Sequence, residues 1–498
     1  MDETQQLLRL HQEIAELYGS LLIEDERHEA LLNVTHVEQR DSARNLIHYA
    51  KLRDSDLQSL QAELNQHGLC SLGRSEARVL SDVCKVLRTL GRLTGRSSPE
   101  RCDFDPSSCL EQHTADLFGA ESNTRKTRIM VTAPSDTAEN PKLMRALLEA
   151  GMDILRINCA HGTPNDWKEI ATHVRYAEER TGRSCLILCD LRGPRLRTAP
   201  WGKKGKGKIT LQRGDRFYLS TEGDETIQGL PSVPCATPSV LRDLEPGQPI
   251  WFDGGKLGGT ISEVRKERAL ILVTHAPEEG AKLRGDKSIN LPESQLSLPA
   301  LSERDLLDLD TVTEIADLVG QSYIRDPGDV QALASELERR NASHLGVILN
   351  IETPTAFAQL PAVLLAGMRQ ARLGVMVARG DLAIELGFER LAEVQEEILW
   401  MCEAAHAPVI WATQVLETMI QVGQPSRAEV TDAAMSARAE CVLLNEGPHV
   451  VSAVNFLSGV LTRMESHQEK QLQLLRRLTI ADWLNDAPEE EKTIAPVE

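Results

Sequence analysis

Short apolar runs recur along the chain from Thr127 onward, and helical patterns separate most of them. The runs cover residues 127–133, 154–158, 185–191, 321–325, 346–352, 374–381, 408–414 and 441–445. Nearly continuous apolar runs of this length are typical of parallel strands that are buried on both faces. Eight such strands alternating with helices predict an α/β fold, namely a (β/α)8 barrel of the TIM type.

The N-terminal region of the chain has a helical period. An apolar stripe at intervals of three and four residues runs through Leu7, Leu10, Ile14, Leu17 and Leu21. Similar stripes predict a second helix from about Leu46 to Leu64, capped by Gly68, and a third over 75–93, whereas 97–122 has no clear period and is interpreted as a connector. We therefore expect a helical N-terminal domain at residues 1–120. It either packs on the rest of the protein or forms a dimerisation surface.

The barrel rhythm is interrupted between Thr198 and Pro292, where the chain is rich in Gly and Lys and has short alternating runs. This pattern predicts a β-barrel lid domain at 199–290, inserted between a first barrel segment (127–198, strands one to three) and a second barrel segment (291–468, strands four to eight). An insertion there would hang over the C-terminal mouth of the barrel and exclude water. Residues 469–498 are expected to form a C-terminal helix, through Arg477, and an acidic tail.

Two of the apolar runs end on an acid, Glu352 and Asp381. Ligands of (β/α) proteins bind at the carboxyl ends of the strands. An acid after a strand is also a common helix N-cap. Two carboxylates on neighbouring strands nevertheless favour a hard divalent cation, Mg²⁺ or Mn²⁺, whose remaining ligands come from water and substrate.

Other polar residues are expected at the same mouth. Arg156 and Arg197 are expected to project where strands two and three end, and guanidinium groups match phosphate oxygens. The small residues Ala378 and Gly380 allow backbone amides to approach an anion. Thr413, after strand seven, is either a hydroxyl facing the pocket or a helix N-cap.

The composition narrows the class of protein. The chain has 498 residues, a net charge of −19 and 41% hydrophobic residues. Such acidity argues against non-specific binding to nucleic acid or anionic membranes. We expect no transmembrane helix and no signal peptide, because no long apolar run is present and the start is not basic. Ten cysteines without metal-binding spacing suggest a reduced, cytoplasmic protein.

Several ordered motifs make the chain resemble the pyruvate kinase family from Thr127 to about Gln468. They are LRINCAHG at 155–162, DLRGPRLRT at 190–198, KSINLPESQLSLPALSERD at 287–305, MVARGDLAIE at 376–385, ATQVLETMI at 412–420 and PSRAEVTD at 425–432. The resemblance implies a barrel with a β lid after strand three and Mg²⁺-dependent phosphoryl transfer from phosphoenolpyruvate to ADP, giving pyruvate and ATP.

The resemblance also implies roles for individual residues. Glu352 and Asp381 would bind the metal, and Arg156 would contact the transferring phosphate. Ala378, Gly380 and Asp381 would lie against the substrate, with Thr413 beside the enolate carbon that accepts a proton. The residues expected near the nucleotide phosphates are Asn158, His161, Arg197 and Lys287.

This sequence departs from the family pattern at its charged positions. Asn350 stands where the family has a lysine that neutralises the transferring phosphoryl group. At the potassium site, Asn158 and Asp190 remain, but Ala160 and Leu191 replace two ligands and Arg195 replaces a glutamate. We therefore expect no potassium requirement. The strand-eight motif is also altered, to Asn445-Glu446-Gly447-Pro448, and we expect the C-terminal regulatory domain with its effector site and tetramer contacts to be absent.

The sequence leaves three functions open. The first is a divergent pyruvate kinase that takes phosphoenolpyruvate or pyruvate and ADP or ATP. The second is a metal-dependent lyase or aldolase acting through the pyruvate enolate, which the loss of the lysine at 350 favours. The third is a pseudoenzyme that binds phosphoenolpyruvate or nucleotide without turnover. The physiological substrate and the oligomeric state do not follow from the sequence.

Overall fold

The N-terminal segment is helical, as predicted. The structure is a computed structural model that describes residues 3–100, 102, 104–121, 125–134, 140–223, 226–470 and 472–473. The predicted second helix is wrong in one respect, because it is divided at residues 54–57. One helix ends at Arg53 and the next begins at Gln58, whose N–H the Asp56 carboxylate accepts at 3.0 Å. The helices are α1 (Glu3–Arg27), α2 (Glu29–Val34), α3 (Arg40–Arg53), α4 (Gln58–Gln66), α5 (Val79–Thr94) and α6 (Cys109–Phe118).

The segment interpreted as a connector contains a helix, α6, which the sequence missed. Its last residues, Leu117 and Phe118, are buried against the inward-facing side chains at the N-terminal end of the barrel. Arg372 donates to the carbonyls of Asp116 and Leu117, at 2.9 and 3.2 Å, and fixes this end of the helix. The helix therefore closes the bottom of the barrel, a role that depends on long-range contacts and leaves no periodic signal.

Buried hydrogen bonds join the helical segment to the outside of the barrel. The Asn45 amide donates to the carbonyl of Ala404 at 2.8 Å, and His406 contacts the Ser42 hydroxyl at 2.9 Å. Gln39 donates to the carbonyl of Ala371 at 2.8 Å. These bonds are those of a segment packed on the rest of the protein, which is one of the two interpretations of residues 1–120.

The first half of the barrel follows the predicted strands closely. It contains β1 (Arg128–Thr132), β2 (Ile154–Asn158) and β3 (Leu186–Asp190), with α7 (Pro141–Ala150) and α8 (Pro164–Thr181) between them. Helix α8 begins with a capping box in which Thr163 and Asp166 satisfy each other's backbone N–H groups. The three strands are parallel, and Asn158 is level with Asp190 at their carboxyl ends.

The inserted segment follows β3 and consists of short strands. Most lie in a seven-stranded sheet, in which the strands Arg216–Ser220 and Leu230–Pro234 are parallel. The strands Lys208–Leu211 and Ala281–Arg284 form a separate two-stranded ribbon. The sequence predicted a β-barrel for this segment. The strands are β4 (Lys208–Leu211), β5 (Arg216–Ser220), β6 (Thr226–Ile227), β7 (Leu230–Pro234), β8 (Pro249–Phe252), β9 (Leu257–Arg265), β10 (Arg268–His275), β11 (Ala281–Arg284) and β12 (Ile289–Asn290).

The second half of the barrel completes the ring, and its last strand, Cys441–Leu444, pairs with β1 to close it. The predicted eight-stranded parallel barrel is thereby confirmed. Its strands are β13 (Leu318–Gln321), β14 (Gly346–Ile351), β15 (Leu373–Ala378), β16 (Val409–Ala412) and β17 (Cys441–Leu444). Its helices are α9 (Glu303–Ile315), α10 (Pro327–Arg339), α11 (Pro354–Ala358), α12 (Leu360–Gly367), α13 (Arg379–Leu386), α14 (Leu391–Ala404), α15 (Glu417–Val422), α16 (Arg427–Met435) and α17 (Val450–Met464).

Several predicted strands extend too far at their carboxyl ends, including the seventh, predicted at 408–414, which ends at Ala412. The fourth strand, predicted at 321–325, ends at Gln321, because Tyr323 has a left-handed backbone with φ +58° that a strand cannot contain. The sixth strand, predicted at 374–381, ends at Ala378. Asp381 lies in the first turn of α13, where an acid is favoured by the helix dipole.

The cysteines and the C-terminal segment also differ from expectation. Cys84 and Cys102 are joined by a disulfide bond, so the expectation of fully reduced cysteines is corrected at this pair. The final barrel helix ends at Met464, and a short hairpin of β18 (Gln468–Glu469) and β19 (Leu472–Gln473) follows. The acidic tail lies outside the described residues. Among the described helices, none is long and apolar enough to cross a membrane.

Candidate active site

The two predicted metal ligands come together at the C-terminal mouth of the barrel. Glu352 follows β14 directly and is 4% exposed. Burial and the nearby charge of Asp381 raise the pKa of Glu352 well above its usual range. Burial also raises the pKa of Asp381, against the opposing effect of Arg195 and Arg197. Burial therefore disfavours the charged form of both acids, and a bound cation would favour it again.

The oxygens of this pair have few partners among the described residues. Glu352 accepts the backbone N–H of Tyr323. Among the described residues, the Asp381 carboxylate has no hydrogen bond or ion pair. A buried and a half-buried carboxylate with few protein partners are a fitting donor set for a hard divalent cation such as Mg²⁺ or Mn²⁺. The described residues hold no cluster of three or more His, Cys, Asp or Glu side chains. In a site with two carboxylates, water or substrate oxygens would supply further ligands.

Arg195 lies beside the carboxylate pair and is largely buried. Its guanidinium is 5.8 Å from the centroid of the Tyr323 ring. Although burial opposes its charge, Tyr323, Glu352, Asp381 and Asp190 together raise the pKa of Arg195 above its usual value. The Nε atom is buried without a hydrogen-bond partner. The mouth therefore holds two incompletely paired carboxylates next to a cation.

Asn350, where the family resemblance implies a lysine, is part of a buried polar network. Its amide donates to Asp190 at 2.9 Å and to the Ser322 hydroxyl at 3.1 Å. The other Asp190 oxygen accepts two hydrogen bonds from Arg156, of 2.8 and 2.6 Å. Arg156 also donates to Thr132 at 3.1 Å. The predicted phosphate contact, Arg156, is thus already paired with Asp190.

Thr413 occupies a strained turn after β16. It has a left-handed backbone with φ +64°, and Gln414 and Leu416 share this conformation, at φ +59° and +52°. Such backbone costs of order 1–3 kcal/mol per residue and clusters at functional sites. The Thr413 hydroxyl accepts the Gly380 N–H at 2.8 Å, so it is free to donate its own proton. The Gly380 amide, predicted to hold an anion together with Ala378, is engaged by this bond.

Arg379 fixes this turn, and the sequence did not single it out. Its guanidinium donates to the carbonyl of Ala412 at 2.9 Å and also to that of Thr413. It forms two bonds to the Asp432 carboxylate and lies 4.7 Å from the Trp411 ring centroid. Arg379 lies in the motif at 376–385 and Asp432 in the motif at 425–432, but only their three-dimensional proximity reveals that they pair.

The predicted nucleotide ligands lie on the lid side of the mouth. Arg197 pairs with Asp286 at 3.0 Å, and Lys287 pairs with Asp253 at 2.7 Å. Burial, with the nearby charges of Arg195 and Arg197, lowers the pKa of His161. The side chains of His161, Arg195 and Arg197 therefore lie close together. Asn158 differs, because its side-chain oxygen accepts the N–H of Ala160 and closes a local turn.

A cleft of about 520 Å³ opens between the lid and the barrel. Its lining includes Gly254 of the lid, Asp381 and Gly380 of α13, and Thr413. A second lid contact is the hydrogen bond from Asn290 to Glu385, of 2.8 Å. Burial, assisted by Asp381, raises the pKa of Glu385 to about 7, although the bond from Asn290 opposes the shift. Sequence alone did not distinguish Glu385 from other acids on the same helix.

The fold and this charged mouth define a (β/α)8 barrel protein with a ligand site at the carboxyl ends of its strands. Residues 124–448 match the family model "Pyruvate kinase, barrel domain". The chain therefore belongs to the pyruvate kinase family.

Individual relatives agree with the family model. The chain is 32% identical over 351 residues to a pyruvate kinase of Mycobacterium tuberculosis (strain ATCC 25618 / H37Rv), covering 69% of this chain and 71% of the relative. It is 31% identical over 361 residues to a pyruvate kinase of Geobacillus stearothermophilus, covering 71% of this chain and 59% of the relative. The matched residues of the family model begin at 124, so helices α1–α6 lie outside it.

Proposed function

We propose that this protein transfers the phosphoryl group of phosphoenolpyruvate to ADP, with Mg²⁺ or Mn²⁺ at Glu352 and Asp381 and without a need for potassium. The observation that carries the proposal is the convergence of these two carboxylates with Arg195 at the mouth of a barrel of this family. The substrate is an anion that brings its own oxygens to the metal, which suits a site with only two protein carboxylates.

Phosphoryl transfer depends mainly on positioning and on neutralisation of charge. When bound, the metal would neutralise the substrate oxygens that it shares with Glu352 and Asp381. The arginines around the mouth would hold the phosphoryl group in line between the enol oxygen and ADP. Arg197 and Lys287, which hold acids on the lid in the structure, are proposed to exchange these partners for nucleotide phosphates, with His161 beside them.

Thr413 is proposed to deliver the proton that converts the enolate into pyruvate. Its hydroxyl oxygen accepts the Gly380 N–H, which directs the hydroxyl proton toward another acceptor. Arg379 holds the strained turn that presents this hydroxyl, because it binds the Thr413 carbonyl and Asp432 at the same time. The lid contact between Asn290 and Glu385 would help to exclude water from the cleft.

The proposed independence from potassium rests on Arg195. A permanent cation at this position, facing Asp190, Glu352 and Asp381, supplies charge where the family would recruit an ion. Initial rates with potassium and with tetramethylammonium as the sole monovalent cation test this point. Equal rates are expected, and a strong activation by potassium would contradict it.

The experiment for the main proposal is a coupled assay of ATP formation from phosphoenolpyruvate and ADP with added Mg²⁺. Glu352→Ala serves as the inactive control, and Glu393→Ala, an exposed acid on α14, serves as the matched control. We expect turnover by the wild type and by Glu393→Ala only. The proposal fails if the wild type does not exceed Glu352→Ala.

A second candidate is a metal-dependent lyase or aldolase that stabilises the pyruvate enolate. The uncharged Asn350, bonded to Asp190 and Ser322, favours it, because such a reaction moves no phosphoryl group. Exchange of the methyl protons of pyruvate with solvent, in the presence of metal and the absence of nucleotide, distinguishes the two. If ligands stabilise the protein but neither reaction occurs, a non-catalytic binding protein is the remaining alternative.

A further inference from the structure

Arg195 differs from the other arginines of the site because it has no hydrogen-bonded partner in the described part of the chain. Arg156 is paired with Asp190, Arg197 with Asp286 and Arg379 with Asp432. The Arg195 guanidinium contacts the face of Tyr323, and its Nε atom is buried and unpaired. A buried charged group is normally fully paired, because desolvation without a partner is costly. An unpaired guanidinium in this position can bind an anion.

The position of Arg195 also matches a charge that is missing elsewhere. The family resemblance implies a lysine at 350 and a glutamate at 195, whereas this chain has Asn350 and Arg195. One cation is lost and another is gained at the same mouth. Asn350 cannot take over the lost role, since its amide hydrogens are used by Asp190 and Ser322.

We propose that Arg195 binds the transferring phosphoryl group and replaces the lysine that is absent from position 350. This inference rests on the proposed function and goes beyond the replacement of potassium, because it makes Arg195 a direct partner of the substrate. The guanidinium presents several N–H donors in a plane, which matches two phosphoryl oxygens at once. Tyr323 orients this plane, and no ion pair must be broken before the substrate binds.

The chemical balance of the step is that of simple phosphoryl transfer. The bond between phosphorus and the enol oxygen of phosphoenolpyruvate breaks, and its electron pair stays on that oxygen. A new bond forms between phosphorus and a β-phosphate oxygen of ADP. Arg195 stays protonated throughout and neutralises the phosphoryl oxygens, while the enolate carbon accepts a proton in the following step. No oxidant or additional reactant is needed.

The test compares Arg195→Gln and Arg195→Lys with the double variant Arg195→Gln/Asn350→Lys, in assays with and without potassium. Arg390→Gln, an exposed arginine on the surface, is the matched control. Losing one preorganised cation is expected to lower kcat by ~10²–10³-fold in Arg195→Gln. The second substitution, Asn350→Lys, should restore at least ~10-fold of that loss by analogy with the same effect. Potassium should restore none of it, because Ala160 and Leu191 replace two of the ligands that the ion would need.

Two kinetic results would overturn the proposal. One is an unchanged kcat in a folded Arg195→Gln variant. The other is rescue of this variant by potassium but not by Asn350→Lys, which would restrict Arg195 to the place of the monovalent ion. Thermal unfolding verifies that each variant is folded, and Arg195→Lys, which keeps the charge but loses the fork, is expected to fall between wild type and Arg195→Gln.

A binding measurement separates this proposal from the proposed function. Calorimetric titration with Mg²⁺ present compares phosphoenolpyruvate with pyruvate for wild type and Arg195→Gln. The proposal requires that Arg195→Gln weakens phosphoenolpyruvate binding at least ~10-fold and leaves pyruvate binding unchanged, because only the former carries a phosphoryl group. If the wild type forms no ATP, the proposed function fails, and this contrast still decides the role of Arg195. An equal loss of affinity for phosphoenolpyruvate and pyruvate, or no loss for either ligand, would refute the proposed role of Arg195.

Discussion

The Asn350 amide donates a 2.9 Å hydrogen bond to Asp190, whose other oxygen is held by Arg156. Asn350 on β14 is thereby tied to polar residues on β2 and β3. Within the described residues, the side-chain oxygen of Asn350 is buried without a partner. The site therefore has one stably paired anion, Asp190, on one side, and the less completely paired acids Glu352 and Asp381 on the other.

Removing the Asn350 amide should destabilise the protein. In Asn350→Ala, one Asp190 oxygen would keep only the Ser322 hydroxyl, at 3.4 Å. A lost hydrogen bond to a buried charge costs ~1.5–3 kcal/mol, and the unpaired Asn oxygen that is removed at the same time offsets part of it. We expect the free energy of unfolding in urea to fall by about 1–2 kcal/mol. Asn455→Ala, an exposed asparagine on α17, should change it little.

The Arg379 substitution tests the turn that carries Thr413. A lysine at 379 cannot bond Ala412, Thr413 and Asp432 together, so the Thr413 hydroxyl would lose its fixed position. A displacement of about 1 Å at a reacting group can cost ~10²-fold in rate. We expect Arg379→Lys to lower kcat for ATP formation by about that factor, with a smaller change in the KM for ADP. Arg390→Lys is the control, and an equal loss there would contradict the assignment.

The pKa of Glu385 predicts a dependence of stability on pH. Burial, reinforced by Asp381, raises this pKa from 4.5 to about 7 in the folded protein. The folded state then binds more protons than the unfolded state, so Glu385 destabilises the fold progressively as pH rises from about 4.5 to about 7. Glu385→Gln should be nearly neutral at pH 4.5 and stabilising at pH 8.

The stabilisation of Glu385→Gln at pH 8 should not exceed about 3.5 kcal/mol, since the pKa rises from 4.5 to about 7 and one pKa unit corresponds to ~1.4 kcal/mol. Chemical unfolding in EDTA at several pH values measures it for wild type and Glu385→Gln. Glu393→Gln, on the exposed surface of α14, should show no such trend. A difference that is constant with pH would mean that Glu385 does not titrate in this range.

The closure of the barrel by α6 gives a fourth prediction. Leu117 is fully buried against the backbones of Gly346 and Gly374, where an added Cβ would lie 2.6 Å from its methyl groups. Truncating a buried leucine costs about 2–5 kcal/mol, depending on how far the cavity collapses. Leu117→Ala should lower the free energy of unfolding by that amount, measured in urea. Leu307→Ala, at a largely exposed leucine, should have little effect.

The barrel was predictable because its strands are buried on both faces and leave long apolar runs. The misplaced end of β13 shows the limit, since Tyr323 belongs to a strand by composition but turns away to donate its N–H to Glu352. Helix α6 was missed because its role is to close the barrel, and its short apolar end, Leu117 and Phe118, has no repeat.

The site was predictable where a motif carries the residue. Glu352, Asp381 and Thr413 follow strand ends and do lie at one mouth, and Arg195, which only the family resemblance singled out, lies beside them. The hydrogen-bond partners within the site were not predictable, because pairs such as Arg379 with Asp432 and Asn350 with Asp190 join distant regions of the chain. The pairing state of Arg195 likewise depends on the three-dimensional positions of its neighbours.

The most direct test of the proposed phosphoryl transfer follows the phosphorus atom itself. Phosphorus NMR of phosphoenolpyruvate and ADP, incubated with the wild-type protein and Mg²⁺ in a potassium-free buffer, reports substrate loss and ATP formation together. We predict that ATP appears in proportion to the phosphoenolpyruvate consumed, and that this stops with Glu352→Ala or with EDTA. If phosphoenolpyruvate persists unchanged, or disappears without ATP, the proposed phosphoryl transfer is contradicted.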